Sequence, residues 1–350
     1  MAEYISFQPS DFFNTKLYTG TGSSNAITGV GFQPDATWIK GRNTTYNHVF
    51  TDAVRGVTEE LYPNTTGAEV TNAQGLTAFG SDGFTVGTDA GYNGNTNTYV
   101  SWNWKAGTTT GIATNGSTTI TPSAYSFNQT SGFSIVQYTG NSTSGAKVAH
   151  GLGAVPEMII VKTTNTSNEW NIYHKGMDAT APEDYYLIFG TDTRADDSSR
   201  WNDTAPDSVN FTLGNAAAVN GSANTMVAYC FAPKKGYSKF GSYVANNNSD
   251  GPFVYTGFRP SMVFMKNYVN GAWSWQLLDC RREGYNSSND QLYPNTTAVE
   301  GSDGYGDLMA NGFKITTGNA GINDSGATFI YAAFAEFPIV SSNDVPGVAR

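Results

Sequence analysis

The sequence predicts an all-β chain of three tandem antiparallel β-sandwich domains, jelly-roll or lectin-like in kind. Three observations predict it: a composition of strand and turn formers, a motif set written three times, and strands with an apolar face at period two.

Of 350 residues, 14% are charged, 13% are aromatic and 39 are glycine. Disorder needs the reverse balance, with many charges and few aromatics. Gly, Asn and Thr in quantity mean many turns between β-branched and aromatic strands. No helical periodicity of useful length and no heptad pattern interrupts this, so a coiled-coil shaft is not expected. The net charge is −10 and the longest basic runs are Lys234-Lys235 and Arg281-Arg282. Phosphate neutralisation needs clustered cations, so nucleic acid is not expected as a partner. No apolar run approaches the length that spans a bilayer, and membrane insertion is not expected either. Residues Met1 to Ser10 lack a cationic stretch followed by an apolar core, so no signal peptide is expected. Cys230 lies in the apolar run Val227–Phe231 and reads as a buried free thiol, with a bridge to Cys280 left open. The triplets at Asn43, Asn64 and Asn295 read as chance products of an Asn/Thr-rich chain, without glycosylation.

Self-similarity decides the architecture. Each copy opens on a strand-end residue set, Tyr18-Thr19-Gly20, Tyr138-Thr139-Gly140 or Tyr243-Val244-Ala245. A glycine-containing approach leads to Pro34, Pro156 and Pro260, and six residues beyond each proline stands a lysine: Lys40, Lys162 and Lys266. The strand before each lysine reads Thr37-Trp38-Ile39, Met158–Val161 or Met262–Met265. A second strand follows at His48–Asp52, Trp170–His174 and Trp275–Asp279, its first and third positions carrying the larger or apolar residue. Copies one and three share Leu-Tyr-Pro-Asn-Thr-Thr at 61–66 and 292–297, where copy two has Leu187–Asp192. Next come Gly83–Val86, Asn210–Leu213 and Gly312–Ile315. The closing strands start at Thr98, Thr225 and Thr328, with one apolar face: Val100/Val227/Ile330, Trp102/Tyr229/Ala332 and Trp104/Phe231/Phe334. The alternate positions grow less polar from copy one to copy three, which predicts cover on both faces for copies two and three. The boundaries fall at 11–107, 131–236 and 238–340. Residues 108–130 read as a linker or a pairing strand, and 341–350 as a loose tail. A single three-bladed closed assembly ranks below three sandwiches, because each copy is long enough for a core of its own.

Chemistry-bearing groups are sparse. His48, His150 and His174 fall at different points of the pattern, away from the cysteines, so they read as structural; no metal set and no cofactor are expected. Glu59-Glu60 and Asp196-Asp197 are strand or loop neighbours that point apart, not an acid pair across a cleft. The Ser-Asp-Gly triplets at 81–83, 249–251 and 302–304 lack the oxygen series of a calcium loop and read as turns. An enzyme is not expected. Binding has more support: Tyr62 and Tyr293 could stack on a sugar ring, and Asn64 and Asn295 could bond its hydroxyls. The competing reading makes these tyrosines braces between a turn and a neighbouring copy. Trp170 and Trp275 share a strand position and read as core.

Four stretches carry a family resemblance: Tyr4 to Lys16, Ser101 to Gly107, Val148 to Pro156 and Phe240 to Tyr243. Together they resemble a family of marine bacteriophage proteins, chiefly of cyanophages and related phages of ocean bacteria, over nearly the whole chain. The resemblance implies a tail-fibre-like virion structural protein with lectin-like β domains, and it brings no catalytic residues. The expected role is a virion surface structural protein, assembled in the host cytoplasm. A capsid decoration or cement-type protein, or surface knob, ranks ahead of a receptor-binding tail fibre that adheres to host glycans. Expected partners are other virion proteins of capsid or tail, host-surface polysaccharide, and further copies in a homotrimer.

Overall fold

The fold, taken from a computed structural model, is described for residues 6–338 apart from 272, 283–285, 287–289 and 303–304. The expected tail at 341–350 lies outside the described residues, as do Tyr4, Ile5 and residues 339–340. The protein is all-β, with 42% strand and 8% helix, built of several antiparallel sheets, of which none closes among the described residues. Its α-helices, such as Ala90–Asn93 and Ala217–Asn220, are single turns of four residues.

One strand order occurs three times. In the first segment it runs Phe13–Thr19, Thr98–Trp104, Ala36–Gly41, Val49–Asp52, with Gly56–Leu61 and Val70–Thr71 added at the far edge. In the second it runs Phe133–Thr139, Thr225–Phe231, Met158–Thr163, Asn171–His174, and in the third Ser238–Val244, Thr328–Pro338, Phe258–Asn267, Gln276–Asp279. The closing strand thus sits between the opening strand and the one that follows the proline. Residues 124–128 of the stretch read as linker or pairing strand pair antiparallel with Phe133–Thr139. Each segment also has a small sheet, around Gly83–Val86, Asn210–Leu213 or Gly312–Ile315.

The large sheets are buried on both faces, and each face has a different destination. One face builds a private core with the small sheet: Ile27, Phe84 and Tyr99 in the first segment, Val148, Phe211 and Ala228 in the second, Val254, Phe313 and Phe329 in the third. The other face enters one shared core that draws on all three segments, including Phe13, Trp38, Trp102, Trp104, Phe231, Phe240, Phe264 and Phe334. Phe334 stacks on Phe13 at 5.1 Å and meets Trp104 at 5.7 Å and Phe231 at 5.7 Å, so three segments touch one ring. Cores of their own and a common core therefore coexist. The first closing strand is also buried on both faces, although its second face is polar. Ser101 and Asn103 are fully buried there, with Asn103 Nδ2 donating to Ser101 Oγ at 3.1 Å and Thr37 Oγ1 to Asn103 Oδ1 at 3.2 Å.

The opening tyrosines have a structural task. Tyr18, Tyr138 and Tyr243 donate their hydroxyls to the carbonyls of Tyr92, Val219 and Ile322 at 2.8, 2.6 and 2.8 Å. One residue later stand Asn93, Asn220 and Asn323, fully buried, each accepting from the opening loop (Thr21, Asn141 and Asn246 N) at 2.8, 2.9 and 2.8 Å. Each also donates to a carbonyl six residues back, Gly87, Gly214 or Thr317, at 2.7, 2.8 and 2.7 Å. A buried amide with both ends bonded locks the loop that a bare apolar packing would leave free.

Truncating a ring in the shared core should be felt in every segment. Phe334→Ala is expected to cost about 3–5 kcal/mol. Amide exchange should accelerate in Thr98–Trp104 and Thr225–Phe231 as well as in the third segment; acceleration confined to residues 238–338 would contradict the common core.

Candidate functional site

The loops singled out for ligand binding lie at the seams between segments. In each, a turn follows the end of a strand: Thr65 N donates to Tyr62 O at 3.0 Å and Thr296 N to Tyr293 O at 2.9 Å. Asn64 Oδ1 accepts from His48 N at 3.0 Å, and Asn295 Oδ1 from Trp275 N at 2.9 Å. Their amide nitrogens donate to Asn47 Oδ1 at 2.8 Å and Ser274 Oγ at 3.3 Å. Both asparagines thus tie the loop to the start of the second strand, in the same way twice.

The backbone of the same loops receives groups from the adjoining segment. Trp170 Nε1 donates to Tyr62 O at 3.1 Å, and Trp275 Nε1 to Ile188 O at 2.8 Å. The ring at this position in the first segment, His48, is set against the Tyr293 carbonyl. Two of the three repeated lysines reach the adjoining segment in the same way. Lys162 Nζ bonds Thr66 O at 3.1 Å and Asn168 O at 2.9 Å; Lys40 Nζ bonds Thr297 O at 3.3 Å and Thr44 O at 2.8 Å. Lys266 Nζ bonds Trp273 O at 2.5 Å and feels the Asp192 carboxylate. All three are fully buried, and burial pushes each ammonium down to about 8. Backbone bonds accompany them: Glu69 N to Thr164 O at 2.8 Å, Arg194 N to Tyr268 O at 3.0 Å, and Glu300 N to Arg42 O at 2.8 Å. The third of these seams joins the last segment back to the first.

The end of the second strand reaches the other way. Asp52 Oδ2 accepts from Tyr229 OH at 2.7 Å, Asp279 Oδ2 from Trp102 Nε1 at 3.1 Å, and His174 Nε2 pairs with Tyr331 O at 3.0 Å. Asp52 and Asp279 are each held by a fully buried arginine three residues on, Arg55 and Arg282, at 2.6 Å. The carboxylates beside Arg55 raise its already high basicity further. In the sequence His174 was read only as structural and Asp52 and Asp279 only as strand ends, and Arg55, Asn93, Asn220 and Asn323 were not singled out. The three asparagines do carry a signal, since each stands five residues before the first residue of its closing strand.

The tyrosine side chains meet different surroundings. Tyr62 OH donates to Glu60 Oε2 at 2.5 Å and lines a cleft of about 230 Å³ with Tyr46, Asn47, Asn72 and Asp89. Burial raises the Glu60 carboxyl, and burial together with Glu60 raises the Tyr62 phenol. Tyr293 OH accepts from Gln291 Nε2 at 3.1 Å and lies 3.3 Å from Tyr305 OH, so the third segment has a neutral version of the pair. The two loops sit at different seams and do not combine into one site. What the first can offer chemically is hydrogen bonding to hydroxyls from phenols, amides and a carboxyl.

The remaining candidates take structural places. His48 Nδ1 accepts from Trp38 Nε1 at 3.0 Å, and His150 Nε2 pairs with Asp207 O at 3.0 Å. Burial lowers all three histidines. Among the described residues no three of His, Cys, Asp and Glu gather as a metal site. Glu59 engages Thr71 while Glu60 engages Tyr62, and Asp197 accepts from Ser199 N at 2.9 Å. Asp82 accepts from Gly29 N at 2.9 Å and Gly31 N at 2.7 Å, and these bonds hold its carboxyl low. Asp250 pairs with Lys314 at 2.6 Å, and residues 303–304 of the third triplet lie outside the described residues. Cys230 is buried and free, Cys280 is free, and burial raises both thiols to about 12. Trp170 and Trp275 belong to the shared core.

The family model for the domain of unknown function DUF7483 matches residues 8–338, and the chain belongs to that family. No curated protein and no solved structure matches the chain.

The histidine at the second seam makes stability depend on acidity. His174 is lowered from its ordinary 6.5 to about 4 because burial disfavours the cation. The unfolded chain therefore binds more protons between these values, and stability falls as pH drops from 6.5 toward 4. The His174→Gln variant is expected to lose on the order of 3 kcal/mol less than the parent over that window. Urea unfolding at pH 7 and pH 4.5 measures it; parallel curves for the two proteins would contradict the assignment.

Proposed function

We propose that this member of the DUF7483 family is a phage virion surface structural protein of the capsid decoration or cement kind. In this reading the chain is three tandem β-sandwich units joined in a ring, a threefold form made inside one polypeptide. The observation that carries it is the recurrence of one backbone contact at three seams, Glu69 to Thr164, Arg194 to Tyr268 and Glu300 to Arg42, the last of which joins the C-terminal unit to the N-terminal one. Such a block suits a local threefold site of a shell. The composition and the phage-family resemblance support the same role. Because one chain supplies the threefold form, the mounted unit is the monomer rather than a homotrimer. We also propose that it is not an enzyme, takes no cofactor, and works outside the membrane on the particle surface with capsid proteins as partners.

A second reading is a tail-fibre protein that adheres to host polysaccharide. The cleft beside Tyr62 and the exposed rings of Phe253 and Tyr255 favour it. Electron microscopy of the intact particle separates the two. The decoration reading expects hundreds of copies on shell threefold positions; a handful of copies at the tail would overturn it and support the adhesin.

A further inference from the structure

We propose that the groove between the second and third segments is a docking site for an extended β-strand of a partner protein. Among the described residues Ser238–Val244 has one strand neighbour, Thr328–Pro338, and beyond the bridge of Ser238 to Lys234 its other side is an edge. The matching strand of the second segment, Phe133–Thr139, has that side covered by Ala124–Asn128, with Tyr125 opposite Val136 and Phe127 opposite Ser134. In the third segment the matching residues, Lys239 to Ser242, line an open groove of about 1030 Å³.

The opposite wall matches as well. Glu157 and Lys175 line the groove. Glu157 N donates to Phe231 O and Lys175 N to Glu157 O, both at 2.8 Å. Asp35 N and Ala53 N donate to Trp104 O and Asp35 O at the same 2.8 Å. At the first seam Asp35 takes a hydrogen bond from the inserted strand, Ser126 Oγ to Oδ1 at 2.9 Å. Glu157 offers a carboxylate in the corresponding place, where Lys175 now holds it at 2.6 Å. At the third seam the matching residues are Ser261 and Cys280, with Cys280 N donating to Ser261 O at 2.9 Å, and the cavity that Ser261 borders there with Ser10, Phe13 and Glu336 is only about 40 Å³. Of three equivalent slots, one is filled by a strand of the chain itself, one is narrow and one stands wide.

The occupant is thereby described. It is an antiparallel polypeptide strand that places a small hydroxyl residue toward Glu157 and alternates it with aromatic or apolar residues, as Tyr125, Ser126 and Phe127 do. Added strands bind through backbone hydrogen bonds along the edge, with side chains setting preference. An uncovered edge beside an apolar groove is the form that such additions use. The inference stands on this geometry and not on the particle reading.

The test is a labelled peptide with the sequence of residues 121–130, titrated with the full chain and read by fluorescence anisotropy. Saturable binding with Kd below about 1 mM is expected. In the second segment, Gln137 turns its carbonyl outward to Ser123 N at 2.8 Å; Ser242 holds the matching place, so its own backbone groups face the groove. Ser242→Pro removes that edge donor at a place where proline is tolerated, and should weaken binding more than about tenfold. Amide exchange at residues 238–244 should slow when the peptide binds. No binding at 1 mM, binding unchanged by Ser242→Pro, or protection elsewhere would each overturn the proposal. If Ser242→Pro fails to fold, the exchange footprint on the parent chain decides alone.

Discussion

Everything in this molecule follows from sheets that are buried on both faces. A sheet with one apolar face is satisfied by a single covering layer. Here Tyr99, Ala228 and Phe329 need one layer while Trp102, Tyr229 and Phe334 need another. The small sheet of each segment supplies the first. The second is supplied by the other two segments, so the rings of Phe13, Trp104, Phe231 and Phe334 meet in a common interior. Interior packing of this density makes each segment part of its neighbours' cores.

Apolar packing alone is non-directional and would leave the mutual rotation of the segments loosely set. The buried polar groups at the seams remove that freedom. A buried ammonium without partners is costly, and Lys40 and Lys162 find theirs in part on carbonyls of the adjoining segment, Thr297 and Thr66, that only one arrangement brings within reach. The Asp52–Arg55 and Asp279–Arg282 pairs act likewise, because each carboxylate also takes a donor from the adjoining closing strand. Such pairs add little over apolar packing, yet breaking one strands a charge in the interior. The second seam uses His174 and Met177 in place of Asp and Arg, which exchanges charge for the acid-sensitive contact already described.

The strands were legible because period-two patterning is local. Val100, Trp102 and Trp104 announce a buried face in sequence alone, as do their counterparts in the other copies. The opening tyrosines, the prolines and the lysines six residues later were legible as spacing but not as contacts. Lysine is ordinarily exposed, and nothing near Lys162 in sequence says that Thr66 will receive it. The polar second face of the first closing strand misled for a related reason: Ser101 and Asn103 look solvent-facing until each finds a partner inside. For the candidate site, the Leu-Tyr-Pro-Asn-Thr-Thr loops were legible as a repeated motif and were read as ligand contacts. Their asparagines are engaged within their own segments and the Tyr62 carbonyl in a seam, and the carboxyl beside Tyr62 could be seen only once Glu60 was placed against it.

A body whose segments share one core should unfold as one unit, and the second and third segments can then hold open a groove without drifting apart. The most direct measurement is differential scanning calorimetry of the full chain under reversible conditions. The shared core predicts a single transition whose calorimetric and van't Hoff enthalpies agree. Separate transitions, or a calorimetric enthalpy about three times the van't Hoff value, would mean three independently folding units and would contradict the account.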